Sequence, residues 1–180
     1  MAIGAHPDPV QFADNRRLSM TEPEYGRFYE YLLVEAEMLD GHHYDAWLAL
    51  WDPAEARYWV PTAGGDPVST TEGVSLILDD HARLEERVYR LLHEGAHSQE
   101  PRSETARVLG APTICRLTDD RYEARTVFTL AEVRRQRQTM YAGRIAYVLS
   151  RDADEQIRIL EKSVHLIGRE LGIGNLTFIL

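Results

Sequence analysis

Cysteine is nearly absent from this chain: Cys115 is the single one in 180 residues. That excludes an intramolecular disulfide and any four-cysteine metal site within one chain, and its apolar surroundings mark it as a core residue. Long apolar runs are also missing. None approaches the roughly 20 residues of a membrane span, and the N-terminus lacks a basic region followed by an apolar one. The expectation is a cytoplasmic protein with no membrane partner. Positive charge is in deficit, with 20 Lys and Arg against 29 Asp and Glu for a net charge of -9, which argues against nucleic acid as a partner. No glycine-rich phosphate loop, serine-nucleophile motif, internal repeat or low-complexity tract is present.

What is there suffices for one core. Hydrophobic residues make up 44% of the chain and charged residues 27%, and a chain of this length buries roughly 70% of its unfolded surface without needing a disulfide or metal. Residues 1–18 carry Pro7, Pro9 and Asn15 with no periodicity, which predicts an N-terminal arm able to reach a partner subunit. Residues 19–180 form the single domain. Thr21 and Glu24 read as a capping box, with Met20 and Tyr25 as a hydrophobic staple. The stripe Tyr25, Phe28, Tyr29, Leu32, Leu33, Ala36 and Leu39 then predicts a helix ended by Gly41. A short helix over Tyr44–Leu50, a strand over Arg57–Pro61 and a loop over 62–71 follow. Asp79 or Asp80 caps a third helix reaching about His93, with Leu84, Val88, Leu91 and Leu92 on its buried face.

From there the pattern changes period. A strand is expected around Val108–Leu117. Within Arg121–Gly168, Tyr122, Ala124, Thr126, Phe128 and Leu130 alternate with Glu123, Arg125, Val127, Thr129 and Ala131, and similar alternation fills 139–149 and 156–167. The short polar connections near 134–138 and 151–154 predict an antiparallel meander. Helices first and sheet afterwards indicate an α+β fold, with helices packed on one face of a curved sheet.

Few motifs point to chemistry. His93-Glu-Gly-Ala-His97 matches the H-E-x-x-H zinc-protease pattern, which needs a helix continuing through Gly95 to bring both imidazoles to one face. Gly95 is placed instead like a terminator, and Pro101 follows closely. On the concave face of the sheet, Asp40, Tyr44, His81, Tyr122, Glu161 or His165 could form an acid/base site if they converge. The run Arg134, Arg135, Arg137 suits a solvated turn or an interface salt-bridge cluster.

The segment from Glu35 through Asp40, Tyr44 and Trp47 to Leu50 resembles the first helices of the small, or β, subunits of aromatic-ring-hydroxylating dioxygenases. Tyr58-Trp-Val-Pro61, Asp80–Val88, Ala142-Gly143-Arg144, Val148–Arg151 and the ending Gly174–Leu180 agree with that family in order. One departure stands at Ser103-Glu104-Thr105-Ala106-Arg107, where the family often has Ser-Arg-Thr-Arg.

The resemblance implies the nuclear-transport-factor-like (cystatin-like) cone, a curved antiparallel sheet packed on about three N-terminal helices. It also implies a non-catalytic β subunit that supports the assembly and stability of a catalytic α subunit, three of each, with other β subunits as neighbours. In such complexes the α subunit holds a Rieske [2Fe-2S] cluster and a mononuclear Fe(II) that cis-dihydroxylates an arene, and electrons come from NAD(P)H through a reductase and ferredoxin. This chain is expected to hold no cofactor: a Rieske centre takes two cysteines and two histidines, and no histidine pair with a carboxylate stands out for iron. No catalytic residue is assigned. Trp47, Trp51, Tyr58 and Trp59 are candidates for core or interface, with Arg134 and Arg135 for interface. The competing reading is a stand-alone cone-fold isomerase or dehydratase with an acid/base pocket.

Overall fold

A computed structural model describes residues 16–61, 75–93, 101–168, 176 and 178–180. The order is β1 (Arg16–Arg17), α1 (Pro23–Asp40), α2 (Tyr44–Leu48), β2 (Arg57–Pro61), β3 (Ser75–Asp79), α3 (His81–Leu92), β4 (Glu104–Leu109), β5 (Thr113–Arg116), β6 (Arg121–Arg134), β7 (Arg137–Arg151) and β8 (Ile157–Leu166). These strands form one sheet in the order β1-β5-β6-β7-β8-β2-β3, with β4 also pairing β6. The meander is β6-β7-β8, antiparallel throughout, while β2 joins β8 in parallel. The expected α+β architecture is therefore present, with the period-two residues of β6 buried on one side.

The helices follow their patterns with local differences. Glu22, not Thr21, precedes the first turn of α1. Its carboxylate accepts from the Ser19 N–H at 2.8 Å while Ser19 O accepts from the Glu22 N–H at 3.0 Å, and Pro23 takes the first helical position, where no amide donor is needed. The Thr21 hydroxyl is held by Ser19 Oγ instead. Met20 is exposed and so forms no staple, whereas Leu18 is buried. At the other end Gly41 keeps a helical φ, and His42 makes the left-handed step. Asp80 caps α3 as expected, accepting from the Arg83 N–H.

The strand expected over Val108–Leu117 is two strands. Gly110, Ala111 and Pro112 interrupt it, so β4 pairs the second half of β6 and β5 the first half, and Thr126 Oγ1 donates to Gly110 O at the break. Splitting one edge over a 14-residue strand lets the sheet curl around α1. The β6–β7 connection is a two-residue turn in which Arg135 and Gln136 both have positive φ, the conformation that matches strand twist in tight hairpins. In β7, Gly143 is required: a Cβ there would lie 2.2 Å from His165 O on β8. Of the expected arm, residues 1–15 lie outside the described residues, and Arg16–Arg17 pair with β5.

Candidate functional site

Helix α1 lies in the curl of the sheet, and three of its carboxylates reach cations on different strands. Near its start Glu24 binds Arg116 and Arg151, each at 2.8 Å, and accepts from the Tyr122 hydroxyl at 2.7 Å. Burial works against ionisation of Glu24, but the Tyr122 and Arg116 hydrogen bonds and the arginine charges outweigh it, so its pKa is lowered. At the end of α1, Asp40 accepts from the Arg107 guanidinium, the Arg107 amide (2.7 Å) and the Thr105 hydroxyl (2.8 Å) on β4.

Between them lies the interior of the cone. Glu35 falls within the buried stripe of α1 and Lys162 faces it from β8; each is 1% exposed. Lys162 Nζ stands 2.7 Å from Glu35 Oε1, which also accepts from Trp47 Nε1 at 2.7 Å, while Tyr147 donates to Oε2 at 3.2 Å. Lys162 further lies over the rings of Tyr58 and Tyr147. Desolvation lowers the Lys162 pKa against the pull of Glu35. The same burial, with the Glu35 charge beside it, pushes the Tyr147 hydroxyl well above its ordinary range. An ion pair this deep stabilises little by itself, but neither member tolerates loss of the other.

The far side of this interior is filled by Phe178, Ile179 and Leu180, all buried. Tyr58 hydroxyl donates to Leu180 O and accepts from the Leu180 N–H at 3.1 Å, and Arg107 donates to Ile179 O. Trp47, Trp51 and Tyr58 pack edge to face around the segment's anchor, with centroids 5.4 to 6.3 Å apart. An acid/base pair therefore exists in the cone, but its carboxylate is saturated by donors and its surroundings are packed with side chains.

The sequence-level candidates separate. Trp47, Trp51 and Tyr58 are core residues, fully enclosed by their own chain. Trp59 lies on the opposite face of β2, edge-on to His165 and bonded to Ser75. Arg134 donates to Pro101 O, and Arg135 sits in the hairpin turn. The concave-face set does not converge. Asp40 is committed to Arg107, Tyr44 to His42, His81 to Glu85 and Tyr122 to Glu24, while Glu161 and His165 flank Trp59's side of the sheet near Arg57. Alternation places Tyr122 and His165 on opposite faces, so no pocket joins them. As for H-E-x-x-H, α3 ends at Leu92 and His93 is already extended; the rest of the motif lies outside the described residues.

Glu35, Lys162 and Arg107 were missed by motif reasoning. For Glu35 and Lys162 the signal was a charge at a position where the stripe or alternation calls for an apolar residue, whereas in β4 the apolar Ala106 and Val108 face outward and Arg107 carried no such signal. Nor do the residues fit an iron centre: a Rieske cluster takes two cysteines where this chain has Cys115 alone, and among the described residues no three His, Cys, Asp or Glu side chains converge as metal ligands. Among those residues no helix is long and apolar enough to cross a membrane.

Comparison with known proteins gives a consistent answer. The family model described as "Ring hydroxylating beta subunit" matches residues 34–171. The small oxygenase component of the p-cumate 2,3-dioxygenase system of Pseudomonas putida is 33% identical over 136 residues, covering 75% of this chain and 74% of that protein. The 2-halobenzoate 1,2-dioxygenase small subunit of Burkholderia cepacia is 30% identical over 156 residues, covering 83% and 92%. In fold, a solved naphthalene 1,2-dioxygenase chain superposes with a TM-score of 0.75 at 20% identity, covering 92% of this chain and 90% of that one. The architecture is the nuclear-transport-factor-like, cystatin-like cone. The chain belongs to the ring hydroxylating beta subunit family, the small subunits of aromatic-ring dioxygenases that pair with a catalytic α subunit in the oxygenase component.

Proposed function

We propose that this chain is a structural subunit whose catalytic partner carries all of the redox chemistry. The observation that supports this most is the buried interior, where Glu35 is saturated by Lys162, Trp47 and Tyr147, and Tyr58, over whose ring Lys162 lies, is bonded to the buried Leu180. On this reading the partner α subunit holds a Rieske [2Fe-2S] cluster and a mononuclear Fe(II), three α assemble with three β, and NAD(P)H supplies electrons through a reductase and ferredoxin. The complex works in the cytoplasm. The hairpin arginines Arg134 and Arg135 belong to interfaces, while Trp47, Trp51, Tyr58 and the buried Trp59 act through the chain's own packing.

Co-expression with a Rieske-type large subunit tests it. The two chains are expected to co-purify, with iron and acid-labile sulfide tracking the large one, and to oxidise an aromatic acid of the kind in the relatives' names when reductase and ferredoxin are added. If this chain alone turns over a small substrate and retains no iron-sulfur subunit, the stand-alone cone-fold isomerase or dehydratase replaces this reading.

A further inference from the structure

Residues 178–180 are neither helix nor strand, yet Phe178, Ile179 and Leu180 are all buried. Side chains of the cone hold their backbone. Arg107 Nη2 donates to Ile179 O, and the Tyr58 hydroxyl exchanges hydrogen bonds with the Leu180 N–H and O. The Phe178 ring stands edge to face on Tyr141, with centroids 5.6 Å apart. An aryl group and a carbonyl are thus each met by a matching group on the wall. Small-molecule sites are built the same way, from apolar walls with a few placed donors.

The wall offers more donors than the segment uses. Arg107 gives its two terminal nitrogens to Asp40 and Ile179 O, while its Nε is buried and finds no acceptor among the described residues. Trp51 Nε1 is in the same condition, and its ring lies 6.2 Å from that of Tyr58. A buried donor without an acceptor costs stability, and these two lie at Arg107 and beside Tyr58, the residues that hold the segment. The third such atom among the described residues, Arg116 Nε, lies by Glu24 at the other end of α1.

Charge decides which acceptor fits. Asp40, Glu35 and Glu132 face this interior against Arg107 and Lys162, with Glu132 accepting from the Ser103 and Tyr141 hydroxyls. Carboxylates outnumber cations, so a further buried anion would be repelled as well as desolvated. A neutral carbonyl accepts from Arg107 without either cost.

We propose that residues 178–180 are the chain's own occupant of a ligand site, which takes in their place a neutral molecule carrying an aryl group and a ketone or amide carbonyl. The ring rests on Tyr141 and the carbonyl accepts from Arg107. Such a molecule is bound and not converted, because Glu35 is saturated by its own donors; the structural-subunit reading stands whether or not the site exists.

Isothermal titration calorimetry on the full-length chain tests it. The probe is 7-phenylheptan-2-one, which spaces ring from carbonyl as the Phe178 ring is spaced from the Ile179 carbonyl along the chain. Its counterpart 6-phenylhexanoate keeps the spacing and adds a negative charge. Phe178→Ala with Leu180→Ala weakens the occupant's hold and is expected to bind the ketone about tenfold or more tighter than wild type, a 1.4 kcal/mol change. Adding Arg107→Met should remove about tenfold of that affinity, and the acid should bind the two-site variant about tenfold more weakly than the ketone does. Thermal unfolding checks that the variants are folded. In wild type the ketone should speed hydrogen exchange at the Leu180 amide by about threefold or more while leaving β6–β7 unchanged, a readout that decides the matter if the two-site variant fails to fold. Equal binding by wild type and the two-site variant, indifference to Arg107→Met, or unmoved exchange at Leu180 each overturn the proposal. An acid that binds as well as the ketone overturns it too, since charge would then select nothing.

Discussion

The interior of the cone and its outer sheet face are each built against the usual rule. Inside, Glu35 and Lys162 place charges where the patterns of α1 and β8 call for apolar residues; outside, Val108, Val127 and Met140 meet water where polar residues belong. The difference lies in who supplies the compensation. The interior charges are satisfied entirely by this chain, through each other, Trp47 and Tyr147. The outer apolar residues have no compensation within it. Interior residues should therefore govern the stability of the lone chain, and outer residues should barely affect it.

The largest effect is expected from Lys162→Met. The replacement fills much of the same space but leaves Glu35 buried without its cation, at a cost of about 3–5 kcal/mol, read from equilibrium urea unfolding. Adding Glu35→Gln removes the stranded charge while keeping an acceptor for Trp47 and Tyr147, and should recover most of the loss. A Lys162→Met cost below about 1 kcal/mol would show that the pair is not buried as a charge pair, and the comparison with the outer face would collapse.

Alkaline titration probes the same interior. Lys162 has its pKa lowered from 10.5, so in the window below 10.5 the unfolded chain holds a proton that the native one has released, and stability rises with pH there. Tyr58 and Tyr147 have theirs raised from 10.0, chiefly by burial. Above about pH 10 the unfolded chain loses phenolic protons that the native state keeps, so stability falls by about 1.4 kcal/mol per pH unit for each tyrosine. Lys162→Met should abolish the rising limb and spare the falling one. Thermal melts between pH 8 and 11, with tyrosinate absorbance as a second probe, follow both limbs; tyrosinate appearing well before unfolding would contradict the enclosure of these hydroxyls.

A smaller loss is expected where the interior meets the 178–180 segment. Arg107→Met removes the donors to Asp40 and Ile179 O, a change of about 1.5–3 kcal/mol for hydrogen bonds to a charged group. Hydrogen exchange at the Leu180 amide, now held by Tyr58, should accelerate more than exchange in β6–β7. Equal acceleration everywhere would mean that Arg107 supports the whole cone and not this anchor.

Much of this architecture was legible in the sequence because it rests on neighbouring residues. Alternation from Tyr122 to Leu130 gave β6 its buried face, and Asp80 announced α3. The start of α1 was misplaced because the Ser19–Glu22 exchange competes with Thr21 for the same helix end. The break at Gly110–Pro112 was readable but was spanned by the apolar residues on both sides of it. The interior site was invisible to motif reading for a different reason. Glu35 and Lys162 are 127 residues apart, each stands out only as a charge on the apolar side of its own element, and only the curl of the sheet gives either a partner. The acid/base list failed on the same ground in reverse, joining residues that alternation sends to opposite faces.

The smallest effect should come from the outer face. Val127→Thr and Met140→Gln each exchange an exposed apolar side chain for a polar one of similar size, so the lone chain should change in stability by no more than about 0.5 kcal/mol. β-Branched threonine keeps the strand preference of valine, which makes Val127→Thr the cleaner of the two. If either variant costs as much as an interior change in dilute urea unfolding, the outer face is already packed within the chain and its apolar character needs no neighbour. If unfolding is unmoved while self-association at higher concentration weakens, the outer residues contribute only where a second surface covers them, and the two regions differ in who completes them.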